Sequence, residues 1–212
     1  SASAIRASLL QADVQHNSWK SEGSLKQMPP AAAQIMRNNY NRKTPVYSND
    51  FSLLLKAKLL TETCDSLIEY ADISEALARR IINQRNQFVN WDAFCELLKP
   101  KDMTYSRISR ALMHILLNIR TEDMTAYQAE QNCCYARVLG FRKEQTEILK
   151  LFKQNSSVPV ITKLGQIDSL SNAGQKMSDT DCYASNLYES VVTDKFHTPF
   201  IEEHSKSLVL YE

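Results

Sequence analysis

The sequence predicts a mostly α-helical protein, a multi-helix domain with at most a small strand pair. Three observations carry that expectation. From residue 50 onward, apolar residues recur at helical spacing through most of the chain. The 212 residues include only 4 glycines and 6 prolines, too few for a turn-rich all-β fold. Neither a glycine-rich phosphate loop nor an alternating β–α pattern occurs.

Taken in order, residues 1–12 read as the start of a helix, with Ser3 as N-cap ahead of Ile5, Leu9 and Leu10. Residues 13–30 are polar and end in the breaker Met28-Pro29-Pro30, and a helix over 30–38 follows with proline in its first turn. The basic, asparagine-rich stretch Asn38–Pro45 is the best internal boundary, dividing the segment 1–45 from the segment 46–212. Beyond it, Phe51, Leu54, Leu55, Lys58 and Leu59 hold one helix. Asp72 and Glu75 have capping-box spacing and open a helix through Leu77, Ile81 and Ile82 to about Gln87. A short helix, Trp91–Leu98, is closed by Lys99-Pro100, and Thr104 caps the next, 105–119. Tyr135–Phe141 is β-branched and aromatic, a helix follows over 142–153, and Val158–Thr162 reads as a short strand. Residues 164–178 read as polar loop with some helix, and 179–190 as a final helix.

Composition excludes several classes. No apolar run approaches the ~20 residues that span a bilayer, and the N-terminus lacks the order of a secretion signal. The chain begins at Ser1 with a helical pattern already under way, as a fragment of a longer chain would. Five cysteines with no C-x-x-C pair give neither a disulfide framework nor metal-ligand spacing, and the four histidines are dispersed. The expectation is a cytoplasmic protein with reduced thiols and no metal site. Net charge is +1, but its distribution is uneven. Between Lys99 and Arg120 stand five basic residues (Lys99, Lys101, Arg107, Arg110, Arg120) against the single acid Asp102. From Leu164 to Glu212, eight acidic residues face three basic ones. A neutral protein with a basic stretch can bind a polyanion locally.

Three segments carry chemistry. Ser1-Ala2-Ser3-Ala4-Ile5-Arg6 opens a helix, where free N–H groups and the helix dipole favour an anion and Arg6 sits one turn in. The same segment also reads as a plain serine-capped surface helix. On the helix 105–119, Ile108, Leu112, Ile115, Leu116 and Ile119 form one stripe, while Arg107, Arg110, His114 and Asn118 align opposite. Arginine forks suit phosphate, and His and Asn suit riboses or base edges. The alternative is a solvated polar face, against which Lys99 and Lys101 weigh by extending the basic stretch. The third segment carries Arg79, Arg80 and Arg85 but lacks the glycine hairpin of a helix-hairpin-helix module.

These residues resemble a known family. Ser1–Arg6 is similar to the end of the I-S-[SA]-[TS]-x-I-R motif of HIGH-type nucleotidyltransferases. Ile73–Leu77 with Arg80-Ile81, Thr104–Ile108, His114–Leu117, Arg137–Phe141 and Pro159–Lys163, in that order, resemble the bacterial tRNA(Met) cytidine acetate ligases over roughly residues 1–190. The resemblance implies activation of acetate with ATP and Mg2+ to acetyl-adenylate, then acetyl transfer to N4 of the wobble cytidine of elongator tRNA(Met). It implies that Ser1, Ser3, Ile5 and Arg6 line the ATP site and that the helical region helps hold tRNA, for which the basic stretch and polar face read above offer Lys99, Lys101, Arg107, Arg110, His114 and Asn118.

The family's E-G-L-x-N-R reads Glu75-Ala76-Leu77-Ala78-Arg79-Arg80 here, and its K-R-Y-T-Y reads Lys101-Asp102-Met103-Thr104-Tyr105. No H-x-G-H motif occurs. The expectation is therefore a C-terminal portion only, with the Rossmann-like catalytic domain absent and no acetate activation by this chain alone. Two other readings stay open: part of another HIGH-type adenylyltransferase acting on a small acid, or an RNA-binding domain that is not an enzyme.

Overall fold

The computed structural model of the chain describes residues 4–7, 9–10, 25–101 and 103–211. Ser1, Ser3 and Asp102 lie outside them, and so do the predicted Ser3 cap and the polar stretch 13–24. The chain divides into two compact units, residues 1–47 with 191–200, and residues 48–190 with 201–212.

In the first unit, residues 4–7 and 9–10 are helical, and helix α1 (Pro30–Asn39) begins at a proline whose missing N–H costs nothing there. Its end is shaped by the Asn-rich connector. The Asn39 carbonyl accepts the N–H groups of Arg42, Lys43 and Thr44, and Asn41 takes the left-handed conformation at φ 55°. Leu9, Leu25, Ala33, Val191 and Val192 are buried in this unit.

The first part of the second unit holds six helices: α2 (Ser52–Leu60), α3 (Cys64–Ile68), α4 (Glu75–Gln84), α5 (Trp91–Leu98), α6 (Tyr105–Leu116) and α7 (Thr121–Ala129). Their starts follow from side chains that satisfy free N–H groups. Thr63 accepts from Ser66, Ser74 from Leu77, Asn90 from Ala93 and Thr104 from Arg107. The cap of α4 is thus Ser74, not the predicted Asp72, which holds a left-handed φ of 64° two positions earlier and accepts from Arg110 instead. Leu55, Leu67, Ile81, Trp91, Phe94, Leu98, Ile108, Leu112 and Ile115 are fully or almost fully buried and form the core. The apolar stripe of α6 is the one its periodicity predicts, shortened at one end. Asn118, at φ 56°, stops the helix after Leu116, and the Ile119 N–H turns back to the His114 carbonyl at 2.9 Å.

The remainder departs from expectation. Strand β1 (Ala136–Arg137), strand β2 (Gly140–Arg142), helix α8 (Thr146–Asn155) and strand β3 (Val160–Ile161) come next. They are followed by a 25-residue helix, α9 (Asn172–Phe196), and strand β4 (Val209–Tyr211). The predicted single strand pair is corrected to two parallel pairs. β1 pairs with β3, Ala136 facing Val160, and β2 pairs with β4, Gly140 facing Val209. Parallel pairs close only over long crossovers, and strands of two or three residues carry no alternation to read. The predicted polar loop with some helix over 164–178 is a 3-10 turn (Leu164–Ser169) and the start of α9, which also absorbs the predicted helix 179–190.

Candidate nucleic-acid interface

Helix α6 packs Ile108, Ala111, Leu112, Ile115 and Leu116 inward and leaves Arg107 and Arg110 exposed, as 3.6-residue periodicity requires. The Arg107 side chain makes no hydrogen bond or ion pair among the described residues. Arg110 is committed on one side: its Nε–H donates to Asp72 Oδ2 at 2.7 Å while 59% of the side chain stays exposed. His114, one turn on, is mostly covered. Its Nδ1 lies 3.0 Å from the Ala71 carbonyl and 3.4 Å from Asp72 Oδ2.

The segment that presents Asp72 is pinned to the chain leaving α6. The Ala71 N–H donates to the Ile119 carbonyl at 3.1 Å, the Thr121 N–H donates to the Glu69 carbonyl at 2.9 Å, and Tyr70 and Arg120 form an antiparallel bridge. The Arg110 guanidinium, as a hydrogen-bond donor, holds the Asp72 carboxyl below the usual carboxylate range against partial burial, with smaller contributions from His114 and Arg107.

The structure therefore brings Arg107, Arg110 and His114 onto one face and adds Asp72, a residue that sequence reasoning used only as a helix cap. Its signal was an aspartate two positions ahead of the true cap, in a turn, where Asp tolerates positive φ. Asn118 is exposed in the turn after α6 rather than on the helix itself. Lys99 caps the end of α5 and pairs with Glu96 at 2.9 Å, while Lys101 is exposed in the turn that follows.

The arginines of the third segment have structural partners. Arg80 donates to the Leu98 carbonyl at 3.1 Å, and Arg85 to the carbonyls of Leu59 at 3.4 Å and Glu62 at 3.2 Å. Each thereby satisfies carbonyls at or just beyond a helix C-terminus. Arg79 pairs with Glu75 on the same helix. Arg120 pairs with Glu69 and stands over the Tyr70 ring, 5.1 Å from its centroid.

Of the residues assigned to ATP, Ile5 and Arg6 lie in the helical stretch 4–7, with Arg6 exposed. Among the described residues no group of three or more His, Cys, Asp or Glu is placed to hold a metal ion, and no helix is long and apolar enough to cross a membrane.

The family model described as HIGH Nucleotidyl Transferase matches residues 1–202. The tRNA(Met) cytidine acetate ligase of Alkaliphilus metalliredigens is 30% identical over 190 residues, 87% of this chain and 45% of that protein. The protein of the same name from Clostridium perfringens is 28% identical over 209 residues, 99% of this chain and 46% of its own length. Among solved structures, apo Thermotoga maritima TmcAL superposes with a TM-score of 0.84 at 21% identity, covering 99% of this chain and 50% of that one. The same protein bound with alpha-thio ATP gives 0.83 at 20% identity. At such identity these two show a shared fold.

The chain spans about half the length of the curated relatives it matches. Two expectations are corrected here. The likeness is not limited to a C-terminal portion, because it runs over nearly the whole chain. Nor is the nucleotidyltransferase family's domain absent, since the family match extends from residue 1 to residue 202. The chain carries neither a histidine motif nor a β–α alternation, the two marks the sequence reading relied on. The chain belongs to the HIGH Nucleotidyl Transferase family.

Proposed function

We propose that this chain is part of an ATP-dependent ligase that acetylates N4 of the wobble cytidine of elongator tRNA(Met) through acetyl-adenylate, in the cytoplasm. The observation that carries the reading is the likeness to tRNA(Met) cytidine acetate ligases along almost all of the chain. The basic face of α6 supports it from the chemistry side. Arg107 offers a complete fork, Arg110 offers its two outer nitrogens, and Lys101 and Asn118 stand exposed at either end of the helix. In this assignment residues 46–212 hold tRNA through Lys99, Lys101, Arg107, Arg110, His114 and Asn118. Residues 1–45 bring Ser1, Ser3, Ile5 and Arg6 to ATP with its Mg2+, where Arg6 supplies a charge-assisted hydrogen bond to the triphosphate. Acetate is the second small substrate.

The direct test is a titration of a labelled elongator tRNA(Met) transcript into the chain at two salt concentrations, beside a tRNA with a different anticodon stem-loop. The expected result is salt-dependent binding that favours the cognate transcript. Equal and feeble binding of both at low salt would overturn the reading.

A further inference from the structure

Asp72 stands where electrostatics alone would not put it. An acidic group beside Arg107 and Arg110 lowers the positive potential of the face and should weaken any polyanion bound there. Its geometry serves another end. The carboxylate meets Arg110 through Nε, the nitrogen set back along the side chain. Nη1 and Nη2 make no hydrogen bond among the described residues, and they are the pair that engages a phosphate as a fork. The same Oδ2 lies 3.4 Å from His114 Nδ1, which also faces the Ala71 carbonyl, so one short turn addresses two successive positions on the α6 face.

That turn is itself held. Its Ala71 N–H is bonded to Ile119, the following Ile73 N–H to the Tyr70 carbonyl at 3.3 Å, and Asp72 keeps a left-handed φ of 64° between them. Most non-glycine residues avoid that conformation; Asp and Asn tolerate it best. An arginine free in water has many rotamers, and binding must collect them into one at an entropic cost. Held at Nε, Arg110 has that cost reduced beforehand.

We propose that Asp72 is a positioning residue of the RNA-facing surface, which orders Arg110 for phosphate contact. The proposal rests on the tRNA-binding reading above. Asp72 touches no RNA and acts through Arg110.

The test is Asp72→Asn, which keeps the tolerance for left-handed φ and removes the charge. Simple charge counting requires the variant to bind labelled elongator tRNA(Met) more tightly, since a negative group is lost. Positioning requires the opposite: binding weaker by roughly three- to tenfold, the scale of ordering one long side chain on binding. The melting midpoint should shift little, because the ion pair is largely exposed.

A double-mutant cycle closes the argument. In an Arg110→Ala background Asp72→Asn should no longer weaken binding, because it works through that side chain. Unchanged or tighter binding by Asp72→Asn in the wild-type background overturns the proposal, and so does an equal loss in both backgrounds. If Arg107→Ala/Arg110→Ala itself leaves binding intact, the tRNA-binding reading has failed and this proposal with it. If that double change weakens binding while Asp72→Asn does not, the positioning role alone has failed.

Discussion

The Tyr70 hydroxyl donates to Glu62 at 2.9 Å inside the second unit, and the same carboxylate receives the Ser66 hydroxyl at 2.5 Å and the Lys58 ammonium at 3.2 Å. Burial pushes the Glu62 pKa up, but the hydrogen bonds from Ser66, Tyr70 and Lys58 together draw it below its ordinary value of 4.5. A carboxylate with a depressed folded pKa contributes stability above its unfolded pKa and loses it as pH falls through the folded one. Glu62→Gln should therefore cost about 1–3 kcal/mol at pH 7, the range for disturbing a charged, buried hydrogen-bond acceptor. The gap between wild type and variant should narrow as pH drops below the ordinary carboxylate value. Urea melts at pH 7 and at progressively lower pH check both statements, and a pH-independent gap would refute the linkage.

Arg80 and Arg85 serve the fold, so their loss should register in stability and not in RNA binding. Arg80 donates to a carbonyl at the C-terminus of α5, and Arg85 to one in the last turn of α2 and one just beyond it. Arg80→Ala and Arg85→Ala should each lower stability by about 1–2 kcal/mol. Their tRNA titrations, at temperatures where the variants stay folded, should overlay the wild type. A flattened salt dependence for either would move that arginine to the interface.

The two sets of arginines mark how far the sequence could be read. Arg107, Arg110 and the apolar stripe of α6 were legible because one period, 3.6 residues, governs both faces of a helix. The bounds of α5 were legible too, because Lys99-Pro100 closes a short apolar run that begins at Trp91. What periodicity cannot report is a partner 26 or 38 residues away, so the hold of Arg85 on Leu59 and of Asp72 on Arg110 stayed hidden. The parallel strands were hidden for a related reason. β2 meets β4 across most of the remaining chain, and its three residues have no pattern until the partner arrives. Ser1 and Ser3 remain expectations from motif alone.

Replacing both exposed arginines of α6 should separate binding from folding. Arg107→Ala/Arg110→Ala removes up to about two phosphate contacts, and the slope of log affinity against log salt should flatten by that amount. Only the exposed Arg110–Asp72 pair is lost from the fold, so stability should change by no more than about 1 kcal/mol. Arg107→Lys should restore part of the affinity, since an ammonium keeps the charge without the planar fork. Labelled tRNA titrated at two salt concentrations beside a melting curve measures all of this. An unchanged slope would show that these arginines are merely solvated.

Glu203 gives the sharpest stability forecast. It is one of the few buried acids and lies within the segment that returns after α9. Its carboxylate takes Arg137 of β1 at 2.8 Å, Lys206 at 3.0 Å and the hydroxyl of Ser185 on α9 at 2.5 Å, while its backbone N–H donates to the Asn186 side chain at 2.7 Å. One residue thus ties β1, α9 and the chain leading to β4. Burial raises its pKa, yet Ser185, Lys206 and Arg137 outweigh that and bring it below the usual value. Glu203→Ala would leave the Arg137 guanidinium, 18% exposed, without its counter-charge. Removing one partner of a buried pair typically costs about 3–5 kcal/mol, whereas removing both costs far less. Glu203→Ala should therefore destabilise strongly, and Arg137→Met/Glu203→Leu should recover much of the loss. Because β4 is three residues long, the first consequence should be local. The Val209 N–H, bonded to the Leu139 carbonyl at 3.0 Å, should exchange with solvent far faster in Glu203→Ala while the amides of α6 stay protected. Hydrogen exchange resolved by residue would show this, and equal acceleration at Val209 and in α6 would mean that Glu203 supports the whole unit rather than the return of its last strand.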